Sequence, residues 1–72
     1  MLQEHLAQAE RHVEEGECHV ARQCEVVAAL ERQGADCTGA MTLLRQFEAW
    51  LALHIVDRDR LRKELGLPAW HP

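Results

Sequence analysis

The sequence predicts an all-α protein: a two-helix antiparallel hairpin, with helices at about residues 2–33 and 38–65, dimerising into a four-helix bundle. Three observations carry that expectation. A seven-residue period runs through the N-terminal half, where Leu2-Gln3-Glu4-His5-Leu6-Ala7-Gln8 is echoed by Ala9-Glu10-Arg11-His12-Val13-Glu14-Glu15 and by Gly16-Glu17-Cys18-His19-Val20-Ala21-Arg22. Such a period keeps one narrow stripe of a helix against another helix. Hydrophobic residues make up 47% of the chain but aromatic residues only 4%, and Ala, Leu, Glu, Arg and Gln dominate, which favours long helices over sheet. Stop signals at Gly34 and Gly66 then divide the chain into two rods.

The first helix carries its core stripe on Leu2, Leu6, Ala9, Val13, Gly16, Val20, Gln23, Val27 and Leu30, at alternating spacings of four and three. Gly34 ends it, because glycine accepts the left-handed conformation that closes helices. Ala35-Asp36-Cys37 forms the turn, and Thr38 or Asp36 accepts the first free N–H groups of the next helix. The second helix has its stripe on Leu44, Phe47, Leu51, His54, Arg58, Leu61 and Leu65. Gly66, Leu67 and Pro68 stop it, and Arg60, Arg62 and Lys63 favour the negative end of its dipole. A short turn makes the two rods antiparallel neighbours. The reading is one helical-hairpin domain over 1–72, with a short C-terminal tail at 67–72.

A chain of 72 residues has a marginal core unless disulfides, metals or self-association assist it. Ala49, Leu53 and Val56 recur on the side of the second helix away from its stripe, flanked by Trp50 and Ile55. A helix that is apolar almost all round is covered on more than one side. This predicts a homodimer, with Trp50, Leu53, Ile55 and Val56 carrying the self-association.

The net charge of −4, without a basic block, opposes nucleic acids and anionic membrane surfaces. No apolar run reaches spanning length, and the N-terminus with Glu4 does not read as a signal peptide, so a cytoplasmic location is expected. Cys18, Cys24 and Cys37 lack the spacing of a zinc cluster or disulfide framework and read as reduced thiols.

Folding at residues 35–37 sets residue i opposite roughly residue 71 − i. That register pairs His5 with Glu64, His12 with Asp57, His19 with Trp50, Glu10 with Arg62, and Gly16 with His54. Gln23, His54 and Arg58 are polar intrusions on the seam, with Asp57 beside them, and residues of this kind specify register or oligomeric state. His54, Asp57 and Arg58 would otherwise line a small polar, pH-sensitive contact. Candidate metal ligands are His12, Glu15 and His19, since Glu15 shares a helix face with each histidine. The two histidines are about 10 Å apart along the helix, so one ion takes Glu15 with only one of them. There is no HExxH, no paired Glu-x-x-His, no phosphate-cradling glycine loop and no nucleophile elbow. The reading is of a non-enzyme with no cofactor.

The segments AERHVEEGECHVARQ (9–23) and LALHIVDRDRLRKELG (51–66) resemble short uncharacterised helical-hairpin proteins of α-proteobacteria. The resemblance implies a bacterial cytoplasmic hairpin and supplies no activity, cofactor or partner. Members of that group carry Arg-like or polar residues where this chain has Cys18 and Cys24, which argues against a functional thiol. Function is therefore expected to be that of a homodimeric scaffold or protein-interaction module, with an unidentified protein partner. The other readings are a metal- or pH-responsive hairpin using the histidine ridge, and an RNA-binding hairpin dimer.

Overall fold

In the computed structural model, which describes residues 1–67, helix α1 (Leu2–Arg32) is followed by helix α2 (Thr38–Glu64), packed antiparallel along their lengths. The tail expected at 67–72 falls outside the described residues except for Leu67. The hairpin is a rod of 49 × 24 × 13 Å.

Every residue of the two stripes is buried or half-buried. Along α1 the fully buried positions are Leu6, Ala9, Val13, Gln23 and Val27. Along α2 only Leu61 is buried to that degree. Leu6, Ala9 and Leu61 form the main apolar cluster at the open end of the hairpin, closed by Leu2 and Leu65. No large side chain among the described residues is fully sealed from solvent. Two facing stripes thus yield a thin seam, because each helix has only one neighbour.

Both helices close in the same way. Gly34 has φ 69° and Gly66 has φ 75°, the left-handed conformation in which a Cβ is strained. The Gly34 N–H donates to the Glu31 carbonyl (3.1 Å) and the Ala35 N–H to that of Leu30 (3.0 Å). The Gly66 N–H donates to Lys63 (3.0 Å) and the Leu67 N–H to Arg62 (2.7 Å). These paired bonds satisfy carbonyls that a helix end leaves free. At the start of α2 the capping acceptor is Asp36: its Oδ1 takes the Thr38 N–H (3.0 Å) and the Thr38 hydroxyl (2.7 Å). Cys37, the boundary residue, makes no side-chain cap.

The axial register differs from that expected. His12 meets His54, His19 meets Phe47, and Gly16 faces Leu51, so the partner of residue i lies near residue 66 − i or 67 − i. Gly16 lies sixteen residues before Arg32, whereas Leu51 lies thirteen after Thr38. At 1.5 Å per residue, α1 therefore extends about one turn past the start of α2. The chain leaves the Gly34 reversal running back along α1, so residues 35–37 do not lie symmetrically across the tip. Counting from the middle of the loop misses this offset.

Candidate functional site

The most chemically varied region is a cleft of about 150 Å3 midway along one flank of the rod. His12, Glu15 and His19 enter it from α1, and Phe47, Trp50 and His54 from α2, each set spaced three and four residues apart. That spacing places each trio on one helix face. Gly16 also lines the cleft, and the space its missing side chain leaves is taken by Leu51 of α2.

The rings sort into two groups. His12 and His54 have centroids 5.0 Å apart with their planes tilted by 52°. His19 stacks on Phe47 at 5.4 Å and 21°, and Phe47 meets Trp50 at 5.9 Å. His19 is thus linked to Trp50 through Phe47 and does not pair with it. His12 also borders a second hollow of about 230 Å3, where His5, Asp57 and Arg60 stand near Leu61.

The acidic partners expected for His5 and His12 are engaged within α2. Arg60 donates to Asp57 (2.8 Å) and to Glu64 (3.3 Å), from one and the other side along the helix. The Asp57 hydrogen bond, reinforced by the Glu64 charge, makes the Arg60 guanidinium hold its proton more tightly than usual. Arg58 lies half-buried on the seam, and its guanidinium turns to Asp59 at 3.1 Å. The expected Glu10–Arg62 bridge between the helices is present at 3.0 Å. Gln23 is buried at 8% exposure and its amide donates to the Ala40 carbonyl at 2.9 Å, tying α1 to the first turn of α2.

Among the described residues no group of three or more His, Cys, Asp or Glu side chains gathers about a point that would hold a metal ion. His12, Glu15 and His19 share the cleft but do not converge. Cys18 and Cys24 are exposed, Cys37 is half-buried, and all three are free thiols.

The second feature is an uncovered apolar face. Trp50 is 54% exposed and Leu53 and Val56 are each 66% exposed, while Ile55 is half-buried beside the seam. Val26 and Leu43, nearer the loop, are exposed as well. Among the described residues no helix is long and apolar enough to cross a membrane.

Fold and surface together define a small all-α helical hairpin with a histidine-lined cleft and an exposed apolar face. Comparison with protein-family models, with curated proteins and with solved structures finds no match to this chain.

Proposed function

We propose that the chain is a non-enzymatic scaffold or interaction module that works as a homodimer of hairpins. The observation that carries this reading is the exposure of Leu53 and Val56, two large aliphatic side chains side by side on α2 with Trp50 adjoining. Within one hairpin Leu53 and Val56 stay largely in water, and Leu61 is the one fully buried residue of α2. Covering Leu53 and Val56 contributes about 1.5–3 kcal/mol for each side chain fully removed from water. A two-fold symmetric pair counts that gain twice, because the same patch serves both copies. The arrangement is a four-helix bundle in which the α2 helices of the two copies meet.

Sedimentation equilibrium tests the proposal. The expected species at micromolar concentration has twice the 8.2 kDa protomer mass. A cooperative, helical monomer under those conditions overturns it and leaves a different protein as the occupant of the face. Leu53→Glu places a charge in the dry contact and is expected to yield monomer or unfolded chain. A Leu53→Glu variant that remains a stable dimer would show that the copies meet elsewhere.

A further inference from the structure

The histidines on the α1 ridge part company on folding, and one of them gains a partner that the ridge alone does not suggest. His12 stands across the seam from His54 with ring centroids 5.0 Å apart. Two imidazoles bound to one tetrahedral zinc, at Zn–N of about 2.0–2.1 Å, have centroids about 5 Å apart. The 52° tilt between the rings leaves them free to point nitrogens at a shared position, which a parallel stack would not. Among the described residues neither ring is engaged by a hydrogen bond or an ion pair. Both are half-buried and both open onto the 150 Å3 cleft, so an ion and its waters have access.

We propose that His12 and His54 form an interhelical clamp for a divalent transition-metal ion of the zinc and nickel class, which imidazole favours. No third protein ligand is assembled beside them. Water therefore fills the remaining positions, and the site is open and of modest affinity, unlike a closed structural centre. The ion bridges α1 to α2 at a pair of rings that only the folded hairpin brings together, so filling the clamp favours that fold by mass action. The clamp lies within one hairpin and stands whether or not two copies pair.

The test is a titration of the full chain, thiols kept reduced, with zinc chloride, following each imidazole by two-bond 1H–15N NMR. It is carried past three equivalents so that the three cysteines do not withhold the ion. The ring nitrogens of His12 and His54 are expected to shift together on one saturation curve in the micromolar range. Those of His5 and His19 are expected to stay still at the same zinc, and the melting temperature to rise. His12→Gln is expected to weaken the zinc response of His54 by at least about tenfold, as loss of a ligand costs no less than loss of its supporting partner. His54→Gln should do the same to His12. Independent curves for the two rings, a response only at millimolar zinc, or an unchanged His54 curve in His12→Gln overturns the proposal. The wild-type titration decides the matter even if a variant fails to fold.

Discussion

At Gly16 the missing side chain lets the helices approach at Leu51. A Cβ there would lie 3.1 Å from Leu51 Cδ1 and 3.5 Å from Leu51 Cβ. The tighter contact is with the free end of a half-buried leucine, which can give by the few tenths of an ångström required. Glycine within a helix costs about 0.5–1 kcal/mol relative to alanine. Gly16→Ala is therefore expected to raise stability by somewhat less than that amount, or a few degrees in melting temperature for a chain of this size. Thermal melts check the sign, and a fall would mean that Leu51 cannot move. Gln23 acts differently at the same scale. Its hydrogen bond to the Ala40 carbonyl spans the two helices, and a one-turn slip would break it. A buried polar residue of this kind specifies register more than it adds stability.

Element ends follow from chemistry within a few residues. Asp36 shows this at the start of α2. The Thr38 hydroxyl, and then the Thr38 N–H, hold its carboxyl below the ordinary value of 3.8. A depressed folded value means that the contribution of Asp36 is fully present above 3.8 and is lost as pH falls through the lower folded value. Wild type is expected to melt above Asp36→Ala at neutral pH, with the gap closing as pH falls well below 3.8. Melts of both proteins across that range check it, and a gap that persists into strong acid would remove the carboxylate from the account. Other ends were equally legible: glycine and the residue after it accounted for both closures, at Gly34 and Gly66. The stripes were legible for a similar reason, since spacings of three and four define a face without knowledge of what covers it. The register was not. Ion pairs within α2 drew Asp57 and Glu64 to Arg60, while the helix offset brought imidazole to imidazole.

On the scale of the whole molecule, a rod 13 Å through at its thinnest, with only Leu61 of α2 buried, lacks a second layer. If two copies supply it, folding and association are one equilibrium, and the melting temperature depends on protein concentration. Wild type is expected to melt higher at each tenfold step in concentration. A helical monomeric Leu53→Glu should show no such trend. Melts over a concentration series separate this from a hairpin that is stable alone, whose midpoint stays fixed.

Heptad spacing, glycine closures and the apolar girdle around Leu53 are properties of short stretches of chain, and they suffice for an all-α hairpin with a given pair of facing stripes. The pairing across those stripes is a different matter. It rests on the path of residues 33–37 and on how closely α1 at Gly16 meets Leu51, both of which exist only once the rods are packed. The resulting slip of about one turn changes which side chains meet. It exchanges the partner of His12 from a carboxylate to an imidazole, the juxtaposition on which the proposed clamp rests.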